Sequence, residues 1–323
     1  MHRFEGVSGV VMDRSVAARL TAVLSIVVFV AFGAVGLYRY LENFNLYRGY
    51  PPPSDPPSVV SRGSATSFML TSPALGGRRQ LVDVYLPAGY ATHPQRRYPV
   101  MFLLHGFPGR PAAFLETVRL GVVEDVLLSR HEVPPFILVM PFGSTGTFTD
   151  EEWVNGVGRH QAWETFVSRD LVRAVSARFR TIGSGSARAI AGLSEGGYGA
   201  LDIALHHPRE FRVIESWSGY EQADPIHRIF GTSPALLRHD SPAFTVVRTA
   251  PVLRREHAYV WFYTGASDSL HGQNAAFARE LARLGVWHRF RVLRGGHDWS
   301  LWRGQAANAL LAAGRGLGEG ACA

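Results

Sequence analysis

Short apolar runs alternate with longer segments of helical periodicity after about residue 63, and this alternation constrains the possible folds most. The segment "SPALGG" between the first two runs favours an antiparallel hairpin, whereas the later runs are separated by helices long enough for parallel crossovers. The sequence therefore predicts an α/β domain with a mostly parallel twisted sheet, an antiparallel N-terminal hairpin and helices on both faces. The predicted strands are 67–71, 80–86, 100–104, 136–140, 188–191, 213–217, 259–263 and 290–293. The predicted helices are 111–129, 163–179, 197–206, 272–284 and 299–313.

The length and composition of the chain are those of a protein with one large core. The 323 residues are 46% hydrophobic, which is enough to fill such a core, and no internal repeat interrupts the pattern. We therefore predict a single large domain at 63–316, followed by a flexible C-terminal tail at 317–323.

An uncharged apolar run at 20–37 precedes this domain. At about 1.5 Å per residue its helix is about 27 Å long, nearly the thickness of a bilayer core. We predict a membrane anchor at 20–38, a cytoplasmic segment at 1–19 and a proline-rich linker at 39–62, with the later residues outside the cytoplasm. The alternative is a signal peptide cleaved after Ala31-Phe32-Gly33, which would give a secreted protein. Three arginines precede the run, at positions 3, 14 and 19, and two follow it, at positions 39 and 48. This bias of positive charge favours a cytoplasmic N-terminus.

Charge and cysteine content exclude several classes of protein. The formal charge of +7 comes from arginine alone, because the chain has no lysine, and the arginines are scattered rather than arranged in a stripe. Such scatter argues against nucleic-acid binding. Cys322 is the single cysteine, so neither an intramolecular disulfide nor a cysteine metal cluster is possible.

The segment "AGLSEGGYGA" places Ser194 between a predicted strand and a predicted helix. The spacing Gly192-x-Ser194-x-Gly196 in this context is that of a nucleophile elbow, a sharp turn that exposes the serine hydroxyl. Small residues let the strand and helix approach closely around the serine. The alternative is a packing turn that only happens to contain a hydroxyl. The context predicts that Ser194 is a nucleophile.

A nucleophilic serine needs a base and an acid, which in this type of site follow it in the order acid, then base. His297, in "LRGGHDWSLW", is the last of thirteen histidines and follows the last predicted strand. Asp268 lies a few residues after the strand at 259–263 and is the predicted acid. Asp224, and after it Glu221, are the alternatives, and each of these acids could instead cap a loop or be a solvated carboxylate.

The glycine-rich segment "LLHGFPG" follows the strand at 100–104, where the oxyanion loop of such a site should lie. The backbone N–H groups of Phe107 and Glu195 are the predicted oxyanion donors. His105 is expected to be structural rather than catalytic, because the position of the loop assigns the chemistry to the backbone.

Four motifs, "LLHGFPG", "GLSEGGYGA", "YTGASDS" and "GGHDWSLW", resemble in order those of the esterase D and antigen 85 (mycolyltransferase) family of α/β-hydrolases, over about residues 65–313. The resemblance implies the α/β-hydrolase fold, the Ser194, Asp268 and His297 triad, and no metal or organic cofactor. One departure is Glu195, where many relatives carry methionine or glutamine. A carboxylate in the oxyanion hole would oppose the developing charge, so we expect this side chain to turn away, toward an arginine.

A polar and aromatic segment at 149–167 is long enough to shape substrate access. Trp153 and Trp163, with Trp299 and Trp302 further on, could form an apolar acyl or aryl pocket, with ordinary core packing as the alternative for each. The run from Asp150 to Glu152 resembles a metal-binding triplet only superficially, and we expect a solvated face there.

The expected activity is hydrolysis of a small-molecule, lipid or cell-envelope ester through an acyl-enzyme. An acyltransferase of the mycolyltransferase type, moving the acyl group to a sugar or lipid alcohol, is the first alternative. A non-catalytic envelope-binding protein on the same fold is the second, and the intact serine, acid and histidine set argues against it.

Overall fold

The computed structural model describes residues 14–146 and 148–318, in two compact units, 1–50 and 51–323. In the first unit, helix α1 (Arg14–Tyr47) is long and apolar enough to cross a membrane, with a mean hydropathy of 2.5 in its most apolar window. A signal sequence would have the same length and composition. Residues 1–13, most of the predicted cytoplasmic segment, lie outside the described residues.

The second unit is built on one eight-stranded sheet with the order β1-β2-β4-β3-β5-β6-β7-β8. The pairs β1–β2 and β2–β4 are antiparallel, and every later pair is parallel. The predicted mostly parallel sheet with an antiparallel start is thereby confirmed. The strands are β1 (Ser64–Ser72), β2 (Arg78–Leu86), β3 (Val100–Leu104), β4 (Ile137–Pro141), β5 (Arg188–Leu193), β6 (Val213–Trp217), β7 (Tyr259–Gly265) and β8 (His288–Leu293).

Helices cover both faces of the sheet, as predicted. They are α2 (Ala112–Glu116), α3 (Leu120–Ser129), α4 (Trp163–Thr165), α5 (Val172–Arg178), α6 (Glu195–His206), α7 (His227–Phe230), α8 (Pro234–His239), α9 (Pro242–Arg255), α10 (His271–Arg283) and α11 (Trp299–Gly318). A π-helical turn, Phe166–Leu171, joins α4 to α5. Because successive side chains of a strand point to opposite faces, β3 supplies Phe102 to one core layer and Leu103 to the other.

Several boundaries differ from the predicted ones. The predicted helix at 111–129 is two helices, because Arg119 adopts a left-handed conformation with φ of 67°. Helices α7 to α9 lie in a region where no helix was predicted. At the C-terminus α11 continues to Gly318, so the predicted tail begins inside a helix, and residues 319–323 lie outside the described residues.

The predicted linker at 39–62 is not a free spacer along its whole length. Its first residues belong to α1, which ends at Tyr47. Further on, Val59 is buried, and the carbonyl oxygen of Ser54 accepts a hydrogen bond from Arg119 Nη2 at 3.1 Å. Prolines extend this segment, but its apolar and backbone groups still find partners on the domain.

Candidate active site

Ser194 occupies the sharp turn between β5 and α6, with φ of 56° and ψ of −123°. This left-handed conformation is costly for a residue with a side chain, and it is held here by a hydrogen bond from the Ser194 N–H to the Trp217 carbonyl, 3.0 Å. A Cβ added to Gly196 would overlap the carbonyl oxygen of Leu104. The second glycine of the motif is therefore required by the close approach of β3 to the turn.

Three predicted residues meet at the carboxyl edge of the sheet. Ser194 Oγ lies 2.8 Å from His297 Nε2, and His297 Nδ1 lies 2.9 Å from Asp268 Oδ2. Asp268 is held from its other side, because its Oδ1 accepts the N–H of Leu270 at 2.9 Å. The result is a continuous chain of hydrogen bonds from a buried carboxylate to a serine hydroxyl, the arrangement that activates a serine as a nucleophile.

Neither of the alternative acids takes the place of Asp268 beside His297. Asp224 is exposed in the segment before α7, whereas Glu221 is buried. Both ring nitrogens of His297 already have hydrogen-bond partners, in Asp268 and Ser194. The ring therefore has no nitrogen left for a second acid.

The residues predicted to supply the oxyanion donors lie on either side of Ser194. Glu195 is the first residue of α6, a position at which the N–H has no partner within the helix. Phe107 follows Gly106, where an added Cβ would lie 3.0 Å from the Cβ of Ser194 and 2.9 Å from the carbonyl oxygen of Leu193. The loop after β3 therefore lies close to the nucleophile, and the role of the two N–H groups stays a prediction.

His105, in its neutral form, supports this loop through hydrogen bonds. Its Nε2 accepts the N–H of Gly143 at 3.0 Å, so the ring proton lies on Nδ1, which donates to the Gly106 carbonyl at 2.9 Å. Burial lowers the pKa of His105 to about 4, which keeps the ring uncharged. Trp153 Nε1 also donates to the His105 carbonyl, 3.0 Å. These contacts agree with a structural role for His105.

The side chain of Glu195 turns away from the oxyanion position, as expected, but it finds a different partner from the one expected. Its Oε1 accepts the backbone N–H of Glu152 at 3.0 Å. The nearby Arg228 instead pairs with Glu151, at 3.1 Å. Burial raises the pKa of Glu195 well above its ordinary value, and the carboxyls of Asp150 and Glu152 add to the increase. Burial therefore disfavours the charged form of the Glu195 carboxyl.

The acidic run before Trp153 is not a solvated face, so that prediction is wrong. Glu151 and Glu152 are buried, because this segment folds against the β5–α6 turn. Glu152 Oε2 accepts the hydroxyl of Tyr220 at 2.6 Å, and Glu151 Oε1 accepts that of Thr145 at 2.8 Å. The sequence carries no signal for this burial, since backbone N–H groups and distant hydroxyls satisfy the carboxyls.

Glu152→Gln is expected to flatten the pH dependence of folding stability between about pH 5 and pH 8. Burial, with the Asp150 charge as a second cause, raises the pKa of Glu152 from 4.5 to about 8. Between these values the unfolded chain releases a proton that the folded chain keeps, so the free energy of unfolding of the wild type falls as pH rises. Glutamine has no such proton to release. Urea unfolding at several pH values measures the slope, with Glu132→Gln at an exposed position as the control, and equal slopes for wild type and Glu152→Gln would contradict the expectation.

The tryptophans predicted to bind substrate have different positions. Trp153 and Trp163 are 0% exposed and belong to the core, so the structure does not support a pocket-lining position for either. Gly143 and Gly199 leave room for the Trp153 ring in the core. Trp299 is half-buried beside Trp302, with ring centroids 5.0 Å apart, and Trp302 in turn packs edge-on against His297, 5.1 Å. Only Trp299 and Trp302 of the four lie beside the predicted base.

The geometry agrees with what comparison with known proteins shows. The family model described as "Putative esterase" matches residues 72–313, three quarters of the chain. The chain belongs to this esterase family. The match includes Ser194, Asp268 and His297, and the family supports a carboxylic ester hydrolase.

Curated relatives and solved structures agree with this assignment. The chain is 36% identical over 138 residues to Esterase Rv1288 of Mycobacterium tuberculosis, in an alignment that covers 43% of this chain and 28% of the relative. It is 32% identical over 140 residues to an endo-1,4-beta-xylanase/feruloyl esterase of Xylanibacter ruminicola, covering 42% of this chain and 19% of the relative. The chain thus spans less than a third of either relative. A solved ferulic acid esterase shares the fold, with a TM-score of 0.70, 24% identity, and coverage of 79% of this chain and 99% of that one.

Proposed function

We propose that this esterase hydrolyses carboxylic esters with Ser194 as nucleophile, His297 as base and Asp268 as the acid that orients the base. The observation that carries the proposal is the pair of hydrogen bonds, 2.9 Å from Asp268 to His297 and 2.8 Å from His297 to Ser194. In that arrangement the Nδ1 proton faces the carboxylate, so Nε2 is free to accept the serine proton.

The reaction then proceeds in two halves. His297 takes the proton of Ser194 as its Oγ attacks the ester carbonyl, and the N–H groups of Glu195 and Phe107 bind the oxyanion. The tetrahedral intermediate expels the alcohol, which leaves with the proton from His297, and an acyl-enzyme remains. Water, deprotonated by His297, attacks the acyl-enzyme and releases the acid and the free serine.

Exposure of the site favours hydrolysis over acyl transfer. The His297 side chain is 34% exposed, so water has direct access to the acyl-enzyme. A dedicated acyltransferase would have to exclude that water in favour of an acceptor alcohol. Trp299, beside Trp302 next to His297, offers an apolar surface for one end of the ester.

A fluorophosphonate probe tests the nucleophile, because it reacts with serines activated by a neighbouring base. We expect one adduct on the purified full-length protein, located on Ser194 by peptide mass spectrometry, together with turnover of p-nitrophenyl esters. Glycerol or trehalose added as an acceptor should leave acid as the main product. An adduct on another serine, or none with intact folded protein, would contradict the proposal, and dominant transfer to the acceptor would favour the acyltransferase.

We also propose that α1 anchors the esterase in the membrane with the catalytic domain outside the cytoplasm. Its length and apolarity support a membrane span, and the arginines before the apolar run at 20–37 support this orientation. The full-length protein should stay in the membrane fraction after carbonate washing, and a membrane-impermeant fluorophosphonate should label it in intact cells whose outer barrier is permeabilised. Labelling in lysates alone would place the domain inside, and a soluble product beginning near Ala34 would establish a cleaved signal peptide.

A further inference from the structure

A cluster of carboxylates and imidazoles lies toward the C-terminal end of α6, away from the nucleophile. We call Glu164, Asp202 and His206 the His206 cluster. Asp202 and His206 are one helical turn apart on α6, and Glu164 comes from α4. Asp202 lies about 12 Å along the helix axis from Ser194. The cluster is therefore separate from the esterase site.

The spacing of the cluster suits a small metal ion. One ligand atom from each of the three residues lies within 4.8 Å of the others. His206 Nδ1 is 3.3 Å from Asp202 Oδ2 and 3.9 Å from Glu164 Oε2. A tetrahedral ion with bonds of about 2.0 to 2.1 Å holds its ligand atoms about 3.3 to 3.4 Å apart. The Nδ1–Oδ2 distance already equals that separation, and Glu164 is about half an ångström further away.

In its neutral form, His206 directs a lone pair toward the carboxylates. His206 Nε2 lies 3.1 Å from the carbonyl oxygen of His239, and because a carbonyl can only accept, Nε2 carries the proton. In the neutral ring Nδ1 is then unprotonated. A histidine that binds a metal usually donates its other N–H to a carbonyl or carboxylate in this way, which fixes the orientation of the ring.

Asp202 is a buried carboxylate without a hydrogen-bond donor among the described residues. Its side chain is 0% exposed, and within residues 14–146 and 148–318 neither of its oxygens has a donor in suitable geometry. His206 Nδ1, 3.3 Å from Asp202 Oδ2, is likewise buried and without a hydrogen bond there. Burying a carboxylate without donors is costly, so such groups ordinarily have a partner.

Glu164 is fixed by its own neighbours. Its Oε1 is 2.7 Å from His207 Nε2, and its Oε2 accepts from Asn155 Nδ2 at 3.2 Å. A second group that shares His206 contains His239 and Asp240, but there His239 Nδ1 already contacts Asp240 Oδ1 at 2.6 Å. In the His206 cluster, Asp202 and His206 Nδ1 have no hydrogen bond among the described residues, so their lone pairs are available for a ligand.

We propose that Glu164, Asp202 and His206 bind one divalent transition-metal ion, for which Zn²⁺ is the best match. Two carboxylates and a neutral imidazole balance its charge, and an imidazole ligand favours Zn²⁺ over Mg²⁺ or Ca²⁺. Water completes the tetrahedron. The ion joins α6, whose first residue is Glu195, to α4, and so has a structural role. The three ligands form no compact sequence motif, because Glu164 is far from the other two along the chain.

Zn²⁺ binding to the full-length protein tests the proposal. The protein is purified in detergent without a polyhistidine tag, stripped with EDTA and titrated with ZnCl₂, with metal content measured by mass spectrometry. Asp202→Asn and His206→Gln keep the size of each side chain but remove a ligand. His93→Gln, in an exposed turn elsewhere, is the matched control. We expect one more bound Zn²⁺ per chain in the wild type and His93→Gln than in either cluster variant, and a rise in Tm on adding Zn²⁺ that both cluster variants lose.

Circular dichroism and urea unfolding of the variants establish that they are folded, so lost binding cannot be mistaken for unfolding. Wild-type protein that binds no more Zn²⁺ than folded Asp202→Asn and His206→Gln would overturn the proposal. The cluster would then be an ion pair held by a proton on Nδ1. Because the readout is metal content and Tm, the result does not depend on whether Ser194 is the nucleophile.

Discussion

Ser194→Ala is expected to lower kcat for ester hydrolysis by about 10⁶-fold, and His297→Ala by about the same factor. The two residues act as one unit, since the hydroxyl is nucleophilic only while Nε2, 2.8 Å away, can take its proton. Once either residue is gone, the other has nothing left to contribute. The Ser194→Ala/His297→Ala double variant should therefore lose no more than a single variant, and the N–H groups of Phe107 and Glu195 should supply the residual rate.

Single-turnover and steady-state assays with a p-nitrophenyl ester measure these losses. Ser267→Ala is the matched control, because this exposed serine lies next to Asp268 but does not contact His297 within the described residues. It should keep kcat within a few-fold of wild type. If the losses of the two single variants multiply in the double variant, the residues act independently and the proposed unit does not exist.

The parts of this site that the sequence predicts are those set by local pattern. Alternating apolar runs predict the strands of the parallel core, and the close approach at Gly196 explains the glycine in the motif. Asp268 and His297 follow β7 and β8 directly, and the carboxyl ends of parallel strands share one edge of the sheet. Proximity in space then follows from position along each strand.

The parts that the sequence does not predict depend on what packs around a residue. Trp153 is an aromatic residue of the kind that lines substrate pockets, yet Gly143 and Gly199 leave space for its ring in the core. Glu152 looks like a surface acid, but it is buried against Tyr220. Helix α9 contains Pro251, a residue that ordinarily interrupts a helix. None of these outcomes is encoded within a few residues of the position concerned.

Asp268→Asn is expected to lower kcat by about 10⁴-fold while the protein stays folded. In the wild type, Oδ1 accepts the N–H of Leu270 and Oδ2 faces His297 Nδ1. An asparagine must keep its oxygen toward the Leu270 N–H, so its NH₂ group turns toward His297. Facing a donor, Nδ1 gives up its proton and Nε2 carries it instead. A protonated Nε2 cannot accept the proton of Ser194, and nucleophilic attack is lost.

Asp224→Asn is the matched comparison, because Asp224 lies between Ser194 and His297 in the chain and was the alternative acid. Its side chain is exposed, so this variant should keep kcat within a few-fold of wild type. Steady-state kinetics measure the loss of activity that follows from the wrong tautomer of His297. Thermal unfolding of both variants shows whether the fold is kept. If Asp268→Asn is nearly as active as wild type while Asp224→Asn loses several orders of magnitude, the acid is Asp224. In that case the 2.9 Å contact to His297 does not orient the base during turnover.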